Sequence, residues 1–223
     1  MNDISMFDII GPNMIGPSSS HTAGALRIAH LAGKLASSKI VKVTFTLYGS
    51  FAWTYRGHGT DRALVGGILG FYPDDERIRD SFHHALEAGL DYAFIENTIE
   101  KDIHPNTVDI YIECENGTTI TLRGESIGGG NALIRQLNGI DISLSGAYST
   151  LVIHHKDTKG VIAYITTVCS SIDLNIAFMR VYRKAKGDSA YSIIEVDSPI
   201  NPSIIQVLLC NEAIIDATVV PAI

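Results

Sequence analysis

The chain has 223 residues, of which 46% are hydrophobic and 18% are charged, so it can build a sizeable core as one large domain or two small ones. The net charge of −7 argues against a nucleic-acid-binding protein, and no segment has the length and apolarity of a membrane span. The N-terminus lacks a signal-peptide pattern, and three widely separated cysteines are typical of buried thiols in a reducing compartment, so we expect a cytoplasmic protein.

The hydrophobic pattern of the first half predicts a mixture of helices and strands. Apolar residues recur at helical spacing between Ala25 and Ala36, and Ser19 or Ser20 would suit an N-cap. The other predicted elements are a strand at 41–47, helices at 61–69 and 76–88, strands at 91–95, 107–114 and 118–122, and a short helix at 131–136. Asn116-Gly117 predicts a hairpin turn before the last of these strands.

A domain boundary is predicted between residues 138 and 146, because the pattern beyond it becomes regular. The predicted order there is a strand at 148–155, a helix at 160–170, strands at 173–184 and 190–196, a helix at 202–210 and a strand at 214–220. This β-α-β-β-α-β order is the ferredoxin-like unit. We therefore predict an α+β protein with a larger mixed domain and a small ferredoxin-like domain.

Four polar clusters bounded by Gly or Pro stand out from the hydrophobic pattern. They are GPSSSHTAGA at 16–25, RGHGTDRA at 56–63, DIHPNT at 102–107 and ESIGGGN at 125–131. A chain that only had to build a core would have little use for so many small polar groups and histidines at the ends of elements. We interpret them as a site for a small polar molecule.

His21 lies at the predicted start of the first helix. Free N–H groups and the positive end of the helix dipole favour a bound carboxylate at such a position. They also disfavour imidazolium, which leaves a neutral imidazole able to accept a proton near pH 7. The alternative that Ser18–Thr22 is only an elaborate helix cap stays open.

The other clusters have competing interpretations of their own. Glycines on both sides of His58 allow close backbone approach to a ligand, but a turn with a surface histidine is equally compatible. His104 precedes a proline and is therefore biased towards an extended conformation, which also fits a polar loop. The triple glycine at 128–130 could form an anion-binding nest, but it lacks the context of a dinucleotide site, so a phosphate-binding enzyme has little support.

Taken together, four motifs resemble the beta chain of the iron–sulfur-dependent L-serine dehydratases. In order they are FDIIGPNMIGPSSSHTAGA, YGSFAWTYRGHGTDRALVGGILGF, HPNT and ESIGGGN, and the resemblance covers essentially the whole chain. It implies a substrate-binding-type domain at residues 1–143, similar to one in some phosphoglycerate dehydrogenases. It also implies an ACT domain, an amino-acid-sensing module, at residues 147–223.

The resemblance implies that L-serine is converted to pyruvate and ammonia, a reaction of amino-acid catabolism and gluconeogenesis. It further implies a [4Fe-4S] cluster on a separate alpha chain, in which one iron acts as a Lewis acid on the serine hydroxyl. A cluster needs at least three convergent thiolates, and Cys114, Cys169 and Cys210 are too dispersed to provide them. We therefore expect a heterodimer with no metal ligand in this chain.

The resemblance also assigns candidate site residues to this chain. For catalysis they are Ser20, His21, Thr22, His58, Thr60, His104 and Asn106, with His21 as the preferred acid/base group. For substrate binding they are Ser18, Ser19, Gly128, Gly129, Gly130 and Asn131. For an amino-acid effector of the ACT domain they are Asp157 and Gly160, and we expect that domain to self-associate because its sheet has exposed edges.

A function of another class remains as the alternative. A substrate-binding-like domain joined to an ACT module could be a non-catalytic amino-acid sensor. The histidine content distinguishes the two functions, because a sensor has no need of a histidine at a serine-rich helix start.

Overall fold

The computed structural model describes residues 13–223 of the chain. The segment FDIIGP of the first motif, and with it the N-terminus considered for a signal peptide, lies outside the described residues. The chain divides into two compact units, Met1–Asn138 and Gly139–Ile223. None of the helices between residues 13 and 223 has the length and apolarity that crossing a membrane would require.

The first unit alternates helices and strands. A π-helical turn at Ser19–Ala23 runs directly into helix α1. The elements are α1 (Gly24–Lys34), β1 (Ile40–Tyr48), α2 (Gly49–Thr54), α3 (Thr60–Ile68), a 3₁₀ turn (Glu76–Asp80), α4 (Ser81–Ala88), β2 (Asp91–Asn97), β3 (Thr107–Cys114), β4 (Thr119–Gly128) and β5 (Asn131–Leu137).

These five strands lie side by side in one sheet, in the order β2-β1-β3-β4-β5. β2 is parallel to β1, and the other neighbours are antiparallel. Alternate side chains on the central strands are buried, as expected for strands with one covered face, and Phe45 is paired with Ile110 across β1 and β3. α1 packs against β4 and β5, and Gly24 at its start lies against Ser126 of β4 and the carbonyl oxygen of Asn131 of β5.

α1 and α3 pack closely because a glycine lies at their contact. A Cβ atom at Gly67 of α3 would overlap the carbonyl oxygen of Leu26 and come within 2.7 Å of the Ala29 Cβ. Both of these atoms belong to the fully buried side of α1. The glycine therefore sets the separation of the two helices whose first turns carry the polar clusters.

Substitution of Gly67 with alanine is expected to destabilise the protein by about 1–3 kcal/mol, because the added methyl group overpacks a rigid backbone contact. Gly57→Ala is the matched control, since a Cβ there would meet only the Thr54 carbonyl oxygen at 3.7 Å. Urea unfolding of the two variants measures the difference. Equal midpoints for both variants would contradict this account of the helix contact.

The second unit has the predicted β-α-β-β-α-β order, preceded by one additional strand. Its elements are β6 (Ile140–Leu144), β7 (Ser149–Lys156), α5 (Val161–Ser171), β8 (Ile176–Arg183), β9 (Ser189–Val196), α6 (Ile204–Leu208) and β10 (Ile214–Val220). The sheet order β10-β7-β9-β8, with antiparallel neighbours throughout, is that of a ferredoxin-like fold. A buried cluster including Leu151, Ile165 and Ile194 lies between the sheet and the helices. The α+β prediction is confirmed.

Three local predictions are wrong in detail. Residues 131–136 form strand β5 rather than a helix, because Gly128, Gly129 and Gly130 all have positive φ and return the chain along β4. The N-cap is Ser18, not Ser19 or Ser20. The predicted helix at 76–88 begins as a 3₁₀ turn, where the Asp75 side chain accepts from the Arg77 N–H, and becomes α-helical only at Ser81.

Candidate functional site

The first polar cluster forms a capped π-helical turn. Ser18 is extended, with φ −142° and ψ 123°, and its Oγ accepts a hydrogen bond of 3.2 Å from the His21 N–H. The Ser18 carbonyl oxygen accepts from the Thr22 N–H at 2.8 Å. Gly16 has φ +119°, and a Cβ there would meet the Thr22 side chain, so the entering loop packs directly on the turn. These contacts fix the backbone from which the His21 side chain extends.

The His21 ring is held at both nitrogens by hydroxyl groups. Nδ1 lies 3.0 Å from Ser20 Oγ, and Nε2 lies 2.8 Å from Ser50 Oγ at the start of α2. The Phe51 ring meets the imidazole edge-on at 5.3 Å between centroids. Because a hydroxyl can donate or accept, a neutral imidazole has both nitrogens satisfied in either tautomer.

The second cluster, RGHGTDRA, lies against the first. The His58 ring centroid is 4.9 Å from that of His21, and the Thr22 hydroxyl donates a 2.9 Å hydrogen bond to the His58 carbonyl oxygen. Gly59 follows with φ +68°, and Thr60 begins α3. The structure thus brings together the two motifs that the sequence separates by thirty residues.

The surroundings of His21 favour its neutral form. Burial lowers the pKa of the imidazole below its usual value, and the nearby His58 lowers it further because two positive charges would repel. The ring is only half-buried, so it remains open to a ligand. A neutral imidazole in an accessible position can accept a proton near pH 7.

The third cluster, DIHPNT, packs on the start of α2. Gly49 has φ +49°, and a Cβ there would come within 2.7 Å of Pro105 Cα. The Phe51 N–H donates to the Pro105 carbonyl oxygen at 3.3 Å. His104 is tied to its own loop: Nδ1 accepts from the Asn106 N–H at 3.3 Å, and its carbonyl oxygen accepts from Thr107 Oγ1 at 2.7 Å.

The fourth cluster, ESIGGGN, lies beside the start of α1. The Ser126 N–H donates to the Asn106 carbonyl oxygen at 3.0 Å, which joins this cluster to the third. Ser126 also packs on Gly24, where a Cβ would overlap the serine Oγ. Gly128–Gly130 form the tight turn between β4 and β5, and Asn131 Oδ1 accepts from Arg27 Nη1 at 3.0 Å.

Buried polar atoms without partners concentrate in these clusters. Among the described residues four such side-chain atoms occur: His30 Nε2, His58 Nδ1, Thr60 Oγ1 and Ser126 Oγ. Each costs about 1–3 kcal/mol when it lacks a hydrogen bond, so a folded protein needs a reason to keep it. Three of the four belong to the second and fourth clusters, which supports a ligand-binding role for this region.

The cysteines do not approach these clusters in a way that would hold a metal. Within residues 13–223 no group of three or more His, Cys, Asp or Glu side chains is placed to bind a metal ion. Cys114 is buried in β3, whereas Cys169 and Cys210 belong to the second unit. The described residues therefore do not fit as the ligand set of an iron–sulfur cluster.

The two effector candidates lie at the loop between β7 and α5. The Asp157 carboxylate accepts from the Gly187 N–H at 3.0 Å and from Arg183 Nη1 at 3.4 Å, and both hydrogen bonds lower its pKa, with Gly187 the larger cause. Gly160 caps α5 with φ +87°. Asp157 therefore ties this loop to the β8–β9 hairpin.

Sequence reasoning missed Ser50 and Phe51, which contact the His21 ring from α2. They lie between a predicted strand and the RGHGTDRA cluster, and no periodicity marks a six-residue helix there. Gly49 is the one local signal, since a glycine directly after a strand is compatible with a tight turn.

The comparisons with known proteins point to one family. A family model described as "Serine dehydratase beta chain" matches residues 5–137. The "L-serine dehydratase, beta chain" of Peptoniphilus asaccharolyticus is 43% identical over 209 residues, covering 94% of each chain. The "Probable L-serine dehydratase, beta chain" of Bacillus subtilis is 44% identical over 215 residues, covering 96% of each. The "L-serine dehydratase" of Streptomyces coelicolor is 30% identical over 161 residues, which are 62% of this chain but 35% of that protein.

Proposed function

The chain belongs to the family of L-serine dehydratase beta chains, and from this membership we propose how it takes part in converting L-serine to pyruvate and ammonia. The observation that carries the proposal is the convergence of Ser20, His21, Ser50 and His58. A serine-deamination assay of the complex reconstituted anaerobically tests it. The alternative of a non-catalytic sensor is not favoured by the family.

We propose that the partner is an alpha chain carrying a [4Fe-4S] cluster. The description of the relatives as beta chains implies a second chain. The Streptomyces protein supports this, because the matched region makes up 35% of its length and leaves room for a second part. The described residues offer no ligand set for a cluster, so this chain is proposed to supply groups that act on the substrate.

His21 is proposed to remove the α-proton of the substrate. Burial and His58 keep the imidazole neutral, so Nδ1 can accept the proton once the substrate has displaced the Ser20 hydroxyl from it. The serine-rich start of this helix, Ser18–Ser20, is proposed to bind the substrate carboxylate through hydroxyl and N–H groups. General-base help of this kind contributes about 10²–10⁴ in rate.

The remaining candidate residues are proposed to shape and orient the site. The unpartnered Thr60 Oγ1 and His58 Nδ1 are available to hydrogen-bond a ligand. Further orienting roles are proposed for Thr22, His104, Asn106, Gly128, Gly129, Gly130 and Asn131. Glycines have no side chain, so a small substrate can approach their backbone groups closely.

Replacing His58 with glutamine is expected to move the acid limb of the kcat/KM–pH profile to higher pH. Protonated His58 disfavours protonation of His21, so its removal lets the pKa of His21 rise towards its usual value, while burial still lowers it. More of the enzyme is then in the protonated, inactive form at low pH. His83→Gln, an exposed histidine on α4, should leave the profile unchanged. A limb that stays in place or moves to lower pH would contradict the proposed pairing.

The ferredoxin-like unit is proposed to be an ACT regulatory domain that binds an amino acid near Asp157 and Gly160 and self-associates through its sheet edges. Its β-α-β-β-α-β order supports this, as does the left-handed Gly160 at the start of α5. The cytoplasmic location expected from the cysteines remains part of the proposal.

Calorimetric titration of the full chain with L-serine tests the regulatory site. Asp157→Asn should weaken binding by roughly 10-fold, because it removes the charge from a hydrogen bond worth about 1.5 kcal/mol. The substitution also loosens the loop that this hydrogen bond to Gly187 holds. His21→Ala serves as the control that separates this site from the catalytic one. Wild-type chain that neither binds an amino acid nor self-associates in sedimentation would remove the support for an ACT role.

A further inference from the structure

We infer that Ser50 is a positioning residue that holds the His21 ring in its working orientation through the hydrogen bond to Nε2. The inference rests on the proposed role of His21 as the base. Ser50 lies 29 residues from His21 in sequence, yet its Oγ is 2.8 Å from Nε2. Both residues are half-buried, so water competes for this hydrogen bond less than on an open surface.

The two serine hydroxyls that contact the His21 ring belong to different structural elements. Ser20 is the neighbour of His21 on the same helical turn, so it moves together with the imidazole. Ser50 belongs to α2, a separate element. The contact with Ser50 is therefore the one of the two that fixes the ring relative to the rest of the unit.

Helix α2 is itself held firmly at this point. Gly49 packs on Pro105, and the Phe51 N–H donates to the Pro105 carbonyl oxygen at 3.3 Å. The Phe51 side chain is fully buried and touches the imidazole edge-on. Thr54 Oγ1 donates a 2.7 Å hydrogen bond to the Ser50 carbonyl oxygen. The contacts with Pro105 therefore fix where Ser50 lies, and Ser50 in turn fixes where the His21 ring lies.

The orientation of the surrounding hydroxyl groups is also linked to which ring nitrogen carries the proton. Ser18 Oγ accepts from the His21 N–H and lies 3.4 Å from Ser20 Oγ. If Ser18 donates to Ser20 and Ser20 donates to Nδ1, the proton of the ring is on Nε2 and is donated to Ser50. The reversed arrangement places it on Nδ1, and Ser50 then donates to Nε2. Without Ser50, no serine hydroxyl at Nε2 stabilises either arrangement.

The first test reads the ring directly and needs no alpha chain. The full chain labelled with ¹⁵N-histidine is measured at a pH above the pKa of His21, and His21→Ala identifies the signals. In the wild-type chain we expect ring nitrogen shifts that reflect hydrogen bonds at both Nδ1 and Nε2. Ser50→Ala should move the Nε2 shift away from its wild-type value, whereas Ser50→Thr should retain the wild-type pattern. Ser37→Ala, which removes a hydroxyl of the same unit that lies 3.0 Å from Thr118 Oγ1 and does not contact the ring, is the control.

The second test measures kinetics in the reconstituted complex. Ser50→Ala should lower kcat by about 10–100-fold with little change in KM, because a misplaced base loses rate rather than substrate affinity. Ser50→Thr should recover most of the rate, and Ser37→Ala should behave as wild type. If Ser50→Ala unfolds, Ser50→Cys gives the same comparison with a side chain of similar size and a weaker hydrogen bond.

The inference is overturned if Ser50→Ala, or Ser50→Cys in its place, leaves both the ring shifts and kcat at wild-type values. It is also overturned if Ser50→Thr fails to recover the Ser50→Ala loss while the protein remains folded. Failure of the proposed base is a separate result, because His21→Ala would then retain activity even though the ¹⁵N shifts still respond to Ser50.

Discussion

Replacing His21 with alanine is expected to lower the rate of serine deamination by roughly 10²–10⁴-fold, as for the loss of a general base. The imidazole is held between two hydroxyls, Ser20 Oγ at 3.0 Å and Ser50 Oγ at 2.8 Å, and its pKa is lowered by burial and by His58. These are the conditions in which a histidine accepts protons at neutral pH. The measurement is kcat/KM of the anaerobically reconstituted complex.

The loss must be separated from damage to the fold or to the complex. His21→Asn keeps a polar side chain on the turn and should show a loss of the same order. His83→Ala removes an exposed histidine on α4 and should retain normal activity. Near-normal turnover of His21→Ala in a complex with an intact cluster would reject His21 as the base.

The chain by itself is expected to release no pyruvate from serine and to lack the broad visible absorbance of an iron–sulfur cluster. The serine hydroxyl is a poor leaving group, and the described residues bring no set of ligands together that would hold a metal to activate it. Addition of an iron-loaded alpha chain should restore activity from zero. This is the largest effect that we predict, because the rate of pyruvate release rises from an unmeasurable value to that of the full enzyme.

Cysteine variants provide the control for this reconstitution. Cys114→Ala, Cys169→Ala and Cys210→Ala, made singly, should each give a complex with normal cluster absorbance and activity, because the thiolates are proposed to come from the alpha chain. Cys114 and Cys169 are buried, so their thermal stability is measured in parallel. A brown, serine-deaminating preparation of this chain alone would reject the two-chain proposal. Cluster loss in a cysteine variant that remains folded would reject the assignment of the ligands to the alpha chain.

Hydrophobic periodicity predicted most of the fold because long elements carry a strong signal. α1, α3 and the strands other than β5 and β6 begin close to the predicted positions, and the ferredoxin-like order of the second unit is complete. The exception at residues 131–136 has a conformational origin. Its apolar spacing suited a helix, but three glycines at positive φ make a hairpin turn, and pairing with β4 overrides local preference.

Prediction of the site was less complete, because contacts between distant segments leave no periodic trace. The clusters around His21 and His58 were identified from composition, and the structure places the two rings 4.9 Å apart. Ser50 was missed because a lone serine after a glycine is common in loops. Its contact with His21 depends on the packing of Gly49 against Pro105, which a single sequence does not reveal.

The π-helical form of the turn at Ser19–Ala23 limits how this protein can change during evolution. A π turn holds one residue more than an α turn, and each residue of an α-helix rotates the following side chains by about 100°. Because α1 is anchored by its packing on β4 and β5, deleting Ser19 or Ser20 would rotate the residues before the turn relative to α1, and Ser18 Oγ would lose its hydrogen bond from the His21 N–H. Homologous sequences should tolerate exchange of serine for threonine in this turn far better than any change in its length.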